Sequence, residues 1–119
     1  MSKSNEMIRV AAQKGYSFTK EGEIINPKGK IIKGTIIKSK TSLYKKFGIN
    51  YRGMSRPILV HRFIAYKIWG ESALEGECII HLNRISLDNR PSNIAIGDYR
   101  HIYNEVKKSK PNLIRNTIK

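Results

Sequence analysis

The sequence predicts a mixed α+β fold, in which a small N-terminal β-sheet region precedes a unit of strand, long loop, strand and helix. Three observations predict it. Residues 16–60 break into short β-branched or aromatic runs separated by turn signals. Residues 61–70 mix an apolar face with charge at helical spacing and close on Gly70. Beyond them two short apolar runs, Cys78–Ile80 and Ile94–Ile96, flank a stretch rich in Asn, Asp and Pro. At 119 residues the chain fits one compact domain, or a small domain with an appended half-domain.

The first expected element is a helix over residues 5–14. Ser4 can cap it, Met7, Val10 and Ala11 share one face, and Gly15 can end it. Strands are expected at Tyr16–Thr19, Glu23–Ile25, Thr35–Lys38, Leu43–Ile49 and Ile58–Val60, with turns at Pro27-Lys28-Gly29 and Tyr51-Arg52-Gly53. Basic and apolar residues interleave, as in Leu43-Tyr44-Lys45-Lys46-Phe47, which predicts a half-buried sheet with a basic outer face. A helix follows from His61 to Gly70. The strand Cys78–Ile80 ends at His81, Leu82 to Asn93 reads as a loop, and Ile94–Ile96 forms the returning strand. Gly97-Asp98 starts a basic helix from Tyr99 to about Lys110, with Asp98 as its N-cap and Pro111 beyond it. The expected organisation is a basic region over residues 1–60, a second module over 61–110 and a basic tail over 111–119.

Charge bounds the function. The net charge is +14, and an excess of that size persists where a polyanion is the partner. Residues 1–67 hold 15 Lys/Arg against 3 Asp/Glu, whereas residues 68–119 hold 8 against 6. The first part therefore reads as the gripping surface. The lone Cys78 rules out an intramolecular disulfide and a Cys-based zinc cluster, and its apolar surroundings favour a buried thiol over a reactive one. No segment approaches 18 apolar residues and MSKSNEMIRV lacks a signal-peptide core, so no membrane is expected, and with a polyanion as partner no small-molecule substrate is expected either. The expected location is the cytoplasm.

The stretches VHRFIAYKIWG and CIIHLNRISLDNRPSNIAIGDYRHIYNE resemble the HNH (His-Me finger, ββα-metal) endonucleases of phage and intron-borne homing type. GYSFTKEGEIINPKGKIIKG resembles the small β-region ahead of the catalytic module in that family, so the likeness covers roughly residues 15–108. It implies hydrolysis of double-stranded DNA with one divalent cation, Mg²⁺ or Mn²⁺. His81 would be the general base, and Asn93 the central Asn that braces the loop and orients the base. The chemistry needs such parts: a base for the attacking water and a cation for charge on the leaving oxygen. An imidazole, with an ordinary pKa of about 6.5, accepts a proton near neutrality. Magnesium keeps most of its waters, so one or two protein ligands plus the phosphate suffice.

The residues also depart from the family pattern. Ile80 stands before the base where a polar residue is common, Arg84-Ile85 replaces Gly-Asn at the tight turn, and Ile102 falls at the last metal-ligand position. Arg84 can replace glycine there only if the turn avoids positive φ. Asp98, His101 and Glu105 share the general face of Ile102, and His101 is the nearest substitute ligand, about 100° around the helix. His101 could equally contact phosphate. His61 reads as structural or phosphate-contacting, and Arg62 as a phosphate contact or a solvated helix-end cation. Lys45, Lys46, Arg52, Arg56, Arg62 and Arg84 are the candidate DNA contacts, which would position the duplex without reading its sequence. A long recognition site would call for a homodimer or a partner protein. Two other readings fit the same residues. One is an HNH fold kept for DNA binding without catalysis. The other is an RNA- or ribonucleoprotein-binding protein, with Tyr44, Phe47 and Tyr51 stacking on bases or serving a sheet core.

Overall fold

The computed structural model describes residues 3–40, 42–75 and 78–97. It is a mixed α+β structure in which helix α1 (Lys3–Lys14) leads into β1 (Ser17–Phe18), β2 (Ile24–Ile25) and β3 (Ile31–Ile32). Then come β4 (Thr35–Lys38), β5 (Leu43–Tyr51), β6 (Met54–Leu59), α2 (Val60–Trp69), and a 3₁₀ turn over Gly70–Leu74. The strands β7 (Cys78–His81) and β8 (Ile94–Gly97) complete the described chain, with a second 3₁₀ turn at Pro91–Asn93 before β8.

Helix α1 already includes Lys3, so Ser4 lies inside it and is not the cap the sequence suggested. Its other end behaves as expected. Gly15, at φ 100°, donates to the Ala12 carbonyl and Tyr16 to the Ala11 carbonyl, the paired bonds of a Schellman stop. Helix α2 ends on Gly70 at φ 72°, whose N–H donates to Tyr66.

Three antiparallel sheets follow the chain order, β1-β2-β3, β4-β5-β6 and β7-β8. Strand β6 starts four residues before the expected Ile58, and Val60 belongs to α2 instead. Pro57 hides this strand from a sequence reading. It is tolerated because β6 is an edge strand, where a missing N–H breaks no ladder. The expected basic outer face is also corrected. Pairing along β4, β5 and β6 is regular, so consecutive Lys45 and Lys46 must point to opposite sides. Lys45 shares the side of buried Phe47 and Ile49. The other side carries Tyr44, Lys46, Gly48 and Asn50, opposite Ser55, Pro57 and Leu59, with Lys46 as its single cation on these two strands.

One apolar cluster joins the N-terminal region to the rest. Met7, Ile8 and Ala11 of α1 pack with Ile24, with Phe47, Ile49 and Ile58 of the larger sheet, with Phe63 and Ile64 of α2, and with Ile94 of β8. Phe47 is 4% exposed and meets Tyr16 and Phe63 at ring-centroid separations of 5.6 and 5.3 Å. Tyr51 packs against the cluster and donates its hydroxyl to Glu6 at 3.1 Å. Two of the three aromatics that could have stacked on bases are thus spent on the interior. Only Tyr44 faces a cleft. The core holds β7 and β8 against the first turn of α2, which brings His61 and His81 together.

Candidate nucleic-acid interface

His81 ends β7 directly opposite Ile94, the first residue of β8, so the intervening residues 82–93 must turn back on themselves. The loop closes through its own backbone. Leu82 N–H donates to the Asn93 carbonyl at 2.8 Å, Arg84 to His81 at 2.9 Å and Asp88 to Ile85 at 3.0 Å. Asn93, 6% exposed, sits inside this turn. Its Oδ1 accepts from the Asn83 N–H at 2.9 Å, and its Nδ2 donates to Asn83 Oδ1 and to the Asp88 carbonyl, each at 2.9 Å. Such saturation inside a turn holds the loop in one shape.

Asp88, the carboxylate of this loop, is already engaged. The Arg90 side chain donates to it at 2.8 and 2.7 Å, and Asn83 Nδ2 at 2.7 Å. The Arg90 guanidinium comes first among the causes that hold its pKa down at about 2.

His81 is 9% exposed, and its Nε2 lies 2.8 Å from Oδ1 of Asn89, itself 3% exposed. An amide oxygen only accepts, so in this orientation of the Asn89 amide the contact requires Nε2 to carry the proton and leaves the lone pair on Nδ1. The His61 ring lies 5.1 Å from that of His81, and Tyr44 lies 5.4 Å from His61 on centroids. These rings line an open cleft of about 700 Å³ together with Ser42, Leu59, Ile79, Ile80, Arg84 and Ser86. The Ser86 hydroxyl donates to the Leu43 carbonyl and ties the loop to the start of β5.

Burial lowers the pKa of His61 to about 4, with His81 and Arg62 adding to the effect, so the ring stays neutral where a solvated one would be charged. The unfolded chain then binds a proton that the folded chain refuses between about pH 6.5 and 4. Stability is fully present above that window and is lost as pH falls through it, by on the order of 3 kcal/mol. Urea melts across the window should show this loss, and His61→Gln should flatten it. An equal slope in the variant would contradict the assignment.

The candidate DNA contacts do not converge. Arg84 lines the cleft. Lys46 and Arg62 line a separate groove of about 240 Å³ beside Ser4, Ile8 and Pro57, and Arg62 donates to Asn5 of α1. Arg52 lies 5.1 Å over the Tyr51 ring at the β5–β6 turn, and Arg56 reaches Met54 Sδ at 3.7 Å. Lys45 is half-buried on β5. One expectation is overturned: Arg84 sits at φ 64°, so the turn keeps its left-handed conformation without glycine. For a residue with a Cβ this costs about 1–2 kcal/mol. His101, Asp98 and the basic helix expected from Tyr99 lie outside the described residues.

Asn89 was missed by sequence reasoning. It stands inside the quoted DNRPSN segment, but an Asn in a polar turn gives no sign of being buried beneath a histidine.

The donor set can be tested against the cation that the resemblance implies. Magnesium and manganese favour oxygen ligands, carboxylates above all. The cleft offers imidazoles and hydroxyls but no carboxylate among the described residues, and Ile80, 5% exposed, occupies the position before His81. No group of three or more His, Cys, Asp or Glu residues is placed to hold a metal among the described residues. The described residues do not fit such an ion.

The fold that carries the paired histidines and the braced loop has a counterpart among solved structures. Among solved structures, the chain is similar to the HNH homing endonuclease I-HmuI, in a structure of DNA binding and cleavage by that enzyme, with a TM-score of 0.53. The identity is 20%, over 78% of this chain and 52% of that one, so the chain spans about half the length of its relative. At that identity the likeness establishes the fold. No family model and no curated protein matches the sequence. No helix among the described residues is long and apolar enough to cross a membrane.

Proposed function

We propose that this protein binds double-stranded DNA on an HNH-type scaffold and has given up hydrolysis. The observation that carries the reading is the lining of the His81 cleft, where Ile80, an aliphatic side chain, stands directly before His81 and Arg84 follows on the same loop. Such a surface attracts phosphate and offers a hard cation little. Arg84 adds weight because it holds a left-handed conformation that glycine would adopt without cost. Strain retained at a cleft is a pointer to function. Lys46 and Arg62 in the second groove and Arg52 at the β5–β6 turn are further candidate phosphate contacts, with Lys45 and Arg56 on the face of the sheet opposite to Lys46.

Arg84→Gly tests this with two opposed outcomes. The variant should fold more stably by about 1 kcal/mol. It should also bind duplex DNA more weakly at every sequence, with the salt slope reduced by about one. Unchanged binding would remove Arg84, and with it the cleft, from the interface.

A second reading has one observation in its favour. The His81–Asn89 hydrogen bond leaves Nδ1 with the lone pair, the arrangement a general base needs. In that reading the chain is a metal-dependent endonuclease, with His81 as base and Asn93 as the loop brace. His101, beyond the described residues, would be the ligand for Mg²⁺ or Mn²⁺. A homodimer or partner protein would lengthen the recognised site, and the protein would act where the DNA is, in the cytoplasm or nucleoid.

A further inference from the structure

The turn before β2 packs closely on the His81 loop. Gly22, at φ 82°, lies so close to Asn89 and Arg90 that a Cβ on it would stand 2.3 Å from the Asn89 carbonyl carbon and oxygen and 2.7 Å from the Arg90 nitrogen. Backbone meets backbone here, so no side chain can swing aside. On the other side of the seam, Asn89 Oδ1 meets His81 Nε2, while Asn89 Nδ2 is buried without a hydrogen-bond partner among the described residues. An Asn kept to staple its own loop would use both ends of the amide, as Asn93 does. Leaving a buried donor unpaired costs about 1–3 kcal/mol. The contact made in return is the one to His81.

We propose that Gly22 and Asn89 form a positioning relay, in which the N-terminal sheet seats Asn89 and Asn89 holds His81 as its Nε2–H tautomer with Nδ1 available in the cleft. Asn89 is a positioning residue, since it acts through His81. The relay makes the first sheet part of the site despite its distance in sequence. It is independent of whether the cleft cuts or only binds, because the tautomer can be read without DNA.

The test is the imidazole nitrogen spectrum of His81, recorded on the whole chain at a pH where the ring is neutral. Wild type should show a single Nε2–H tautomer. Asn89→Ala should give a mixture of both tautomers, and Asn89→Asp, which still accepts at the same place, should restore the single form. Gly22→Ala should resemble Asn89→Ala, and so should Gly22→Asn, which tolerates positive φ but still brings a Cβ into the seam. Gly29→Ala is the control for backbone strain alone. Gly29 has a similar φ of 86° and nothing within 4 Å of its would-be Cβ, so His81 should keep its wild-type signature. An Nδ1–H tautomer in the wild type, or an unchanged tautomer in Asn89→Ala, would overturn the relay. If Gly22→Ala does not fold, Gly22→Asn decides the N-terminal half, and a wild-type spectrum there would remove the sheet from the relay.

Discussion

Affinity for duplex DNA is expected to fall about 10³–10⁵-fold between roughly 50 and 200 mM salt, the loss that follows when some 6–10 phosphates are neutralised by Lys and Arg. The net charge of +14 makes such a footprint available. The placement of the cations makes it broad, because Arg84 lies in the cleft, Lys46 and Arg62 lie in a second groove and Arg52 caps the far hairpin. A duplex lying over several of these releases counterions at each. Fluorescence anisotropy with one labelled duplex, repeated at four or five salt concentrations, gives the slope directly. A flat dependence would mean that the charge serves solubility and that DNA is not the partner.

The largest expected loss of stability is at Phe63. Its ring is fully buried and packs edge-on to Phe47 at 77° in the cluster that joins α1, the sheets and α2. Phe63→Ala should cost about 3–5 kcal/mol through lost burial and the cavity left behind. A domain of this size has only about 5–15 kcal/mol in total, so the variant should melt far earlier in urea. Because Ile8, Ile24 and Ile94 belong to the same cluster, the N-terminal region and the His81 hairpin should unfold in one transition. Two separate transitions would show that the N-terminal region and the His81 hairpin are independent units.

Much of the fold could be read from local pattern. Helix α2 announces itself through Phe63, Ile64 and Gly70, and β4 through a β-branched run whose bounds the structure reproduces. Only the end of β6, at Ile58, could be read, because Met54-Ser55-Arg56-Pro57 has neither alternation nor propensity and pairs only because β5 lies beside it. The two isoleucines of β3 have the propensity but too little length to be read as a strand, and pairing with β2 sets them in place. At the site, short motifs mark His81 and Asn93, since a histidine closing a strand and an asparagine opening the next are visible in one dimension. Asn89 and Gly22 are not. Their meaning lies in a contact between residues 67 positions apart, which only the packed chain creates. Arg84 misled for a physical reason: sequence preference says that glycine belongs at positive φ, and the loop's own hydrogen bonds overrule it.

The most direct measurement is the fate of a supercoiled plasmid at low salt, with binding and nicking followed on the same samples in magnesium, manganese or EDTA. Binding without DNA scission, equal in EDTA and in either metal, is the expected result. Metal-dependent nicking by the wild type that disappears in His81→Ala would contradict it, and would make His101 the next residue to change.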